Sequence, residues 1–446
     1  MMTTEGLVQP GPAFTDERGT PSRGAAGWAL FVLFLVNVMN VGDRTLLGVV
    51  TEPVRKELVL SDTEMSLANG FLFVLFNLVG GLVIARFVDR GNRKRILAFG
   101  VLAWSLATAA TGLAQDFLTL SLARVAVGIG EATAFPAAMS LIPDLYRQTA
   151  RGRAIAIFQS STVVGVIGGT IAAGILAASL GWRTMFQICG VAGIGVALLL
   201  LTTVREPTRS DVSEHGVGSW LSDFLAGARR ILSQPGFPTL ALSFGTSGMM
   251  VAVLGAWGPA FLQRSHGLPL AQVGLAIGPA VGLGGVAGML VSGFWADRLM
   301  ARKGHPAAVL RVPLIALPLS VPFLAGFVTA PTLALTMACA AMMNFLLSCA
   351  FTPCINYAVT AVDPADRGLV SSIMLAASGL IGTGLAPFIV GALSDFLTPT
   401  LGTEGLRYAL ASMIPTPLIA AVFIWFTIRL ARSPGVRQLP RESPNA

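Results

Sequence analysis

Twelve apolar stretches dominate this sequence, each long enough to cross the roughly 30 Å hydrocarbon core of a bilayer. Only 12% of its 446 residues are charged and 54% are hydrophobic, whereas about a quarter of the residues in a soluble domain are charged. The pattern therefore predicts an all-α membrane protein with twelve transmembrane helices. The expected spans are 27–50, 65–88, 96–114, 119–142, 152–178, 184–204, 237–262, 272–296, 308–328, 332–359, 369–394 and 406–430.

The two sets of six spans carry related short sequences. "ARFVDRGNRKR" (85–95) follows the second span, and "GFWADRLMARK" (293–303) follows the eighth. Repeats of this kind are typical of transporters whose binding site lies between two halves, so we expect two pseudo-symmetric bundles. The expected parts are an N-terminal tail (1–26), a first six-helix bundle (27–204), a linker (205–236), a second six-helix bundle (237–430) and a C-terminal tail (431–446).

The basic residues predict the orientation of the chain. With both termini in the cytoplasm, five of the 30 lysines and arginines lie outside, namely Arg55, Lys56, Arg183, Arg264 and Arg407. Arg44 and Arg124 fall within spans, and the rest are cytoplasmic, as the positive-inside rule requires. The net charge of +8 is then a topology signal, and no nucleic-acid partner is expected. We expect an integral protein of the inner or plasma membrane, in contact with membrane lipids.

The linker carries a helical pattern of its own. Its apolar residues recur three or four positions apart from Val217 to Leu232, with Arg229 and Arg230 close by. This pattern is typical of an amphipathic helix lying on the cytoplasmic surface of a membrane. A plain flexible linker is the alternative.

Four charged residues interrupt the apolar spans of the first half. Asp43 and Arg44 lie in the first span, and Arg124 and Glu131 lie in the fourth. One such charge at the centre of a membrane helix costs about 2.5–3.5 kcal/mol, so each needs a partner or a function. At about 1.5 Å per residue, Asp43 and Arg124 reach similar depths, and Glu131 lies two turns from Arg124 on the same helix face.

The loop at 85–95 resembles the signature loop of the major facilitator superfamily, whose usual form is G-x-x-x-D-[RK]-x-G-R-[RK]. Ala85 replaces the first glycine of that form, and the second is displaced to Gly91. The resemblance extends over 27–430. It implies the twelve-helix major facilitator fold and secondary transport by alternating access, with no cofactor.

Two further segments are similar to the Spinster family of sphingolipid and lysolipid transporters. "NVMNVGDRTLLGVV" (37–50) contains N-x-x-D-R, and the fourth span from 124 onward contains R-x-x-x-G-x-G-E-A. Organic-anion and sugar-acid symporters share a related pattern. The resemblance is to a bacterial-type Spinster homologue, and it implies an amphipathic small-molecule or lipid substrate.

In this superfamily the first and fourth spans line the central cavity, so the resemblance brings their charged residues together. Two carboxylates and a guanidinium in a low-dielectric cavity form a proton switch, and we assign proton coupling to Asp43 and Glu131. Arg44 and Arg124 are the expected charge partners or head-group ligands. Arg124 is preferred over Arg44, because it shares a helix face with Glu131 and matches the depth of Asp43, whereas Arg44 diverges from Asp43 by about 100° as the next helix residue. A permanent structural salt bridge is the alternative.

The second half contrasts with the first, because its expected cavity helices, spans seven and ten, contain no charge. A cavity charged on one side and apolar on the other suits an amphiphile with an ionic head. The candidate cavity residues are Asn37, Asn40, Ser247, Asn344, Ser348, Thr352, Asn356 and Tyr357.

The charged loop residues have a different expected role. Asp89, Arg90, Arg93, Asp297 and Arg298 lie at the cytoplasmic ends of spans. We expect them to lock a cytoplasmic gate in the outward-facing state rather than to contact substrate.

These patterns predict a proton-coupled secondary transporter for a lysolipid or a sphingoid phosphate, acting as a monomer. The alternative is a proton-coupled transporter of a small organic anion or sugar acid. No catalytic or metal-ligating set occurs, and the four cysteines fall within apolar spans as packing residues, so an enzyme is not expected. A sensor that only binds lipid is left open.

Overall fold

Helices account for the regular secondary structure throughout residues 22–207, 220–303, 305–363 and 366–431, which are the part of the chain described by this computed structural model. The expected tails lie almost wholly outside those residues. The α-helices are α1 (Arg23–Val49), α2 (Thr51–Glu57), α3 (Asp62–Ser66), α4 (Leu72–Arg90), α5 (Arg93–Thr111), α6 (Phe117–Glu131), α7 (Ala134–Leu145), α8 (Gln148–Leu180), α9 (Trp182–Thr203), α10 (Trp220–Leu232), α11 (Phe237–Ser247), α12 (Met249–His266), α13 (Leu270–Lys303), α14 (Arg311–Thr329), α15 (Leu333–Ser348), α16 (Phe351–Thr360), α17 (Arg367–Ala377), α18 (Ala386–Leu401), α19 (Gly405–Ala411) and α20 (Thr416–Leu430). Two π-helical segments (Leu67–Phe71 and Ser378–Leu385) and two 3₁₀ segments (Pro306–Leu310 and Gly402–Glu404) connect some of them.

The predicted all-helical membrane fold is confirmed, and each expected span coincides with a helical stretch. Ten stretches of the described residues are long and apolar enough to cross a membrane, and the last, Arg367–Leu430, holds the final two expected spans. The third expected span corresponds to α5. The ninth is continuous as α14 although Pro318 and Pro322 lie inside it, since neighbouring helices can satisfy the backbone groups that proline leaves free.

The chain divides into two compact units. The first contains residues 1–50 and 75–215, and the second contains 51–74 and 216–446. The boundary at 215 falls inside the expected linker. The sequence assigned 51–74 to the first bundle, whereas the structure groups these residues with the second unit.

In the first unit, α1 and α8 approach each other through glycines. A Cβ atom built on Gly169 of α8 would lie 2.6 Å from the Cα atom of Gly42, so this position has room only for hydrogen. Small residues permit such close contact between membrane helices. We call this contact between Gly42 and Gly169 the α1–α8 seam. Because Asp43 and Arg44 directly follow Gly42, the seam fixes the directions in which their side chains leave α1.

The fourth expected span is broken in the middle. The first part, α6, ends at Glu131, and α7 begins at Ala134. Between them, the Thr133 hydroxyl donates to the Gly130 carbonyl oxygen at 2.9 Å. Glu131 therefore lies at the C-terminus of a helix, where the helix dipole disfavours a negative charge.

In the second unit, the short helix α3 begins against α18. The Asp395 carboxylate of α18 accepts hydrogen bonds from the backbone N–H groups of Asp62 at 2.9 Å and Thr63 at 2.7 Å. A carboxylate in this position satisfies N–H groups that a helix cannot satisfy itself. Further along the same pair of helices, a Cβ atom on Gly391 would lie 2.2 Å from the Ser66 hydroxyl oxygen.

An ion-pair cluster, the Arg264 cluster, lies beside that contact within the second unit. It consists of Arg264 of α12, Glu52 and Arg55 of α2, and Asp62 of α3. The Arg264 guanidinium contacts Glu52 Oε2 at 2.7 Å and both Asp62 oxygens at 2.7 Å. This paired geometry is the strong form of an arginine–carboxylate contact, and it ties 51–74 to α12.

The linker contains the expected helix, as α10. It belongs to the second unit, and its Arg230 pairs with Asp366, close to the start of α17. Residues 220–232 of the linker are thus helical, and the location of this helix on a membrane surface stays a prediction.

Candidate functional site

Asp43 points into the interior of the first unit. Its carboxylate is buried, with 7% of the residue exposed, and its Oδ2 atom accepts a hydrogen bond from Thr108 Oγ1 of α5 at 3.0 Å. No pattern in the sequence points to Thr108, because a single threonine in an apolar span is ordinary. The first expected proton-coupling residue therefore contacts the third span as well as facing the fourth.

Arg44, the next residue, forms the direct ion pair of the site. Its Nε atom lies 2.7 Å from Glu131 Oε2, with the arginine side chain 44% exposed and the glutamate side chain 0% exposed. An arginine here also offsets the unfavourable position of Glu131 at a helix C-terminus. The pair joins a buried carboxylate to a guanidinium that other molecules can reach.

The structure pairs Glu131 directly with Arg44, whereas the sequence favoured Arg124 over Arg44 for its shared helix face with Glu131 and its matched depth with Asp43. Asp43 and Arg44 do diverge, as consecutive helix residues must. The long arginine side chain nevertheless reaches Glu131 from the exposed face of α1. The direction in which the Arg44 side chain leaves α1 did not determine the contact, because its guanidinium lies several ångströms from the Cα atom.

Arg124 is almost completely buried, at 1% exposed. It lies within electrostatic range of Glu131, Asp43 and Arg44. We call these four residues the charge quartet: two cations and two anions held in the first unit. Buried charges of this kind are stable only when opposite charges compensate one another.

The two asparagines of α1 make different contacts. Asn40 Nδ2 donates to the backbone oxygen of Glu131 at 3.5 Å, and Asn37 Nδ2 donates to Ser161 Oγ of α8 at 2.6 Å. Both asparagines are buried. Asn40 thus touches the site, whereas Asn37 joins α1 to α8.

Three of the six cavity candidates of the second half donate to backbone oxygens of helices. Asn344 Nδ2 donates to the Val281 oxygen at 2.6 Å, and Thr352 Oγ1 donates to the Met289 oxygen at 3.2 Å. Ser247 donates to a backbone oxygen of its own helix. Ser247, Asn344 and Tyr357 are buried, and Ser348, Thr352 and Asn356 are half-buried.

The expected gate residues have different surroundings. Arg93 is buried within the first unit, where it pairs with Asp144 of α7 and contacts Glu206 Oε1, after α9, at 2.7 Å. It therefore ties three spans of one unit together. Arg90, Asp297 and Arg298 are exposed, and the side chain of Asp89 lies outside the described residues. A gate function for these residues stays a prediction.

Among the described residues, no group of histidine, cysteine or acidic side chains could hold a metal ion. The four cysteines are free, and Cys339, Cys349 and Cys354 are buried. The carboxyl groups of the quartet can bind and release protons, and its guanidinium groups can bind anions.

The family of the chain follows from sequence comparison. A profile of the Major Facilitator Superfamily matches residues 33–317, more than half of the chain. The chain belongs to the Major Facilitator Superfamily. It is therefore a membrane transporter of the secondary type and not an enzyme.

Individual superfamily members match over nearly the whole chain. An MFS-type efflux pump of Mycolicibacterium smegmatis is 32% identical, covering 92% of this chain and 94% of that protein. A probable L-galactonate transporter of Escherichia coli is 31% identical, covering 96% and 93%. Relatives thus include transporters with different cargoes.

Solved structures support the predicted Spinster resemblance. A bacterial homologue of the human lysosomal transporter Spinster, in an inward-facing and unoccupied conformation, superposes with a TM-score of 0.82 and 27% identity. The match covers 92% of this chain and 98% of that one. Both the superfamily and the Spinster-like character of the chain are therefore confirmed.

Proposed function

We propose that this chain is a proton-coupled transporter of an amphipathic molecule with an anionic head group, of the lysolipid or sphingoid phosphate class. One observation carries the proposal, namely the unequal exposure of the Arg44–Glu131 pair, at 44% and 0%. An anion can contact the guanidinium without entering the bundle interior. Arginine is well suited to this, because its planar fork binds phosphate and carboxylate oxygens in pairs.

Protonation of Glu131 and head-group binding reinforce each other at Arg44. An ionised Glu131 holds the guanidinium at 2.7 Å, and a protonated Glu131 releases most of that attraction. The guanidinium of Arg44 is then held less strongly by Glu131, which favours its contact with an anionic head group. The coupled steps favour movement of proton and anion in the same direction, with Asp43 as the second proton site.

The second unit supports an amphiphile over a fully polar substrate. Its candidate cavity residues carry no formal charge, and Asn344 and Thr352 donate to backbone oxygens. A cavity wall without charged groups suits an alkyl chain, which needs no hydrogen-bonding partner. The likeness to a bacterial Spinster homologue supports the same substrate class.

A small organic anion or sugar acid is the second candidate. The relative that is a probable L-galactonate transporter, at 31% identity over 96% of the chain, favours it. Arg44 and Arg124 would bind the carboxylate of such a substrate as readily as a phosphate. The two candidates differ in the tail of the substrate and share the head-group chemistry.

We further propose that the protein acts as a monomer in the inner or plasma membrane with both termini in the cytoplasm. The distribution of lysines and arginines supports this orientation. Asp297 and Arg298 then lie at a cytoplasmic span end, consistent with the proposed gate.

The test is uptake by purified protein in proteoliposomes under an imposed pH gradient. Lysophospholipids, sphingoid phosphates and sugar acids are offered in turn. We expect gradient-driven uptake of the lipids, and its loss in Asp43→Asn and Glu131→Gln. Asp116→Asn is the matched control. Hydrogen bonds from Thr119 hold the pKa of this exposed carboxyl below its usual value, so it stays ionised throughout.

Each alternative gives a distinct result in this assay. Uptake of sugar acids alone would support the second candidate. Lipid uptake that changes neither with the pH gradient nor with the Asp43→Asn substitution would contradict proton coupling. Lipid binding with no uptake would indicate a sensor.

A further inference from the structure

Thr108 holds the buried carboxylate of the charge quartet. Its hydroxyl donates to Asp43 Oδ2 at 3.0 Å, across the interface between α5 and α1. Thr108 is 0% exposed and Asp43 is 7% exposed. A hydrogen bond to an ionised acceptor at such a buried position is stronger than one between neutral groups.

A neighbouring threonine shows that this contact is not the default. Thr111, one turn further along α5 and equally buried, donates to the Ala107 carbonyl oxygen of its own helix at 3.0 Å. Buried threonines in helices commonly bond in that way. The hydroxyl of Thr108 instead turns toward Asp43, so the carboxylate determines its orientation.

The other groups that face Asp43 are of a different kind. Glu131 and Arg124 of α6 act on it through their charges, and Cys189 of α9 lies within electrostatic range. On its own helix, Arg44 is engaged with Glu131. Thr108 is the neutral hydroxyl of this set, and a hydroxyl can both donate and accept a hydrogen bond.

We propose that Thr108 is a positioning residue of the proton site, serving Asp43 in both of its protonation states; this rests on the proposed role of Asp43 in proton coupling. The hydroxyl donates to Asp43 when the carboxyl is ionised. When Asp43 takes up a proton, the hydroxyl rotates, accepts the new carboxyl O–H, and turns its own hydrogen to the backbone of α5. The carboxyl then changes charge without an unpaired polar atom in the bundle interior.

The contact with Thr108 stabilises the ionised and the protonated states of Asp43 to different extents. The hydrogen bond to the ionised carboxylate is the stronger one, so Thr108 favours the ionised state. Replacing it with valine, which has the same shape and no hydroxyl, lets Asp43 keep its proton to higher pH. The expected displacement is about one pH unit.

The experiment follows the Asp43 carboxyl directly, by pH-induced infrared difference spectra of the full-length protein in lipid. The carbonyl band that disappears in Asp43→Asn belongs to Asp43. We expect Thr108→Val to move the midpoint of that band upward by about one pH unit. Thr108→Ser keeps the hydroxyl and should have the wild-type midpoint. Thr111→Val should also have the wild-type midpoint. If Thr108→Val does not fold, Thr108→Ala removes the hydroxyl with less crowding.

The outcomes separate this inference from the proposed function. An unmoved midpoint in Thr108→Val, an equal shift in Thr111→Val, or no titrating Asp43 band would overturn the role of Thr108. Proton-driven uptake by the wild type would still stand in the first two cases. A shifted midpoint without gradient-driven uptake would support the Thr108–Asp43 contact and contradict proton coupling of transport.

Discussion

Two adjacent residues on α1 divide the chemistry of the site between them. Asp43 is buried against Thr108, whereas Arg44 is 44% exposed and holds Glu131. In the proposed mechanism the Asp43 carboxyl exchanges a proton, and the Arg44 guanidinium binds the substrate head group. A rotation of about 100° around α1 separates these two proposed sites.

Arg44→Gln should weaken binding of an anionic substrate by about 10- to 100-fold, because a charge-assisted hydrogen bond contributes about 1.5–3 kcal/mol. Isothermal titration of the purified protein with a lysophospholipid measures this. Arg153→Gln, at an exposed position of α8, is the matched control. Equal affinity in wild type and Arg44→Gln would place the head group elsewhere.

Sequence reasoning located the charges of the site more readily than their contacts. Asp43 and Glu131 were identifiable because a carboxylate inside an apolar span is costly. The reach of Arg44 to Glu131 depends on side-chain length and on the rotation of α1, which depend on contacts with other helices. Thr108 could not be identified, since its role exists only in the folded bundle.

At the scale of elements, the α1–α8 seam determines where the quartet can form. Gly42 and Gly169 meet without side chains, and Asp43 and Arg44 leave α1 at that point. The expected spans agree with the observed helices because long apolar runs are a strong signal. The break after Glu131 and the π-helical segments were not predicted, since they arise from tertiary packing.

Gly169→Ala should destabilise the protein by about 1–3 kcal/mol, the usual cost of forcing a methyl group into a close-packed contact. Its Cβ atom would lie 2.6 Å from the Gly42 Cα atom. Gly168→Ala is the control, because nothing lies within 4 Å of a Cβ atom there. The midpoints of thermal unfolding measure the difference. Equal midpoints would mean that α1 and α8 can move apart at Gly169 without loss of stability.

At the scale of the whole molecule, the all-helical membrane fold could be predicted from the long apolar runs, and the six-plus-six division stays a prediction. The grouping of 51–74 with the second unit could not be predicted. It depends on contacts such as Glu52 with Arg264, which join residues far apart in sequence. No local pattern encodes a pairing at that distance.

The Arg264 cluster should make stability depend on pH only in acid. Burial raises the pKa of the Glu52 carboxyl, but the Arg264 charge and hydrogen bonds from Arg55 and Arg264 outweigh it and hold the pKa below 4.5. A lowered pKa adds stability that is complete above the unfolded value and is lost as pH falls through the folded one. We therefore expect the Glu52 contribution to be constant from about pH 5 to 8.

Thermal unfolding across a pH series tests this. Glu52→Gln should lower the midpoint near neutral pH and reduce the decline in acid. Glu404→Gln, which affects a half-exposed pair with Arg407 three residues away, should do neither. A Glu52→Gln protein with the full acid decline would show that other carboxylates cause it.

The contact between Asp395 and the start of α3 can form only late in the synthesis of the chain. The carboxylate that accepts from the Asp62 N–H lies 333 residues downstream. At about 5–20 residues per second, a ribosome needs roughly 20–70 s to reach it. During that interval the emerging chain has Asp62 and Thr63 but not their acceptor. The N–H groups of Asp62 and Thr63 therefore reach this acceptor late in biogenesis, and a nascent chain arrested before α18 lacks it.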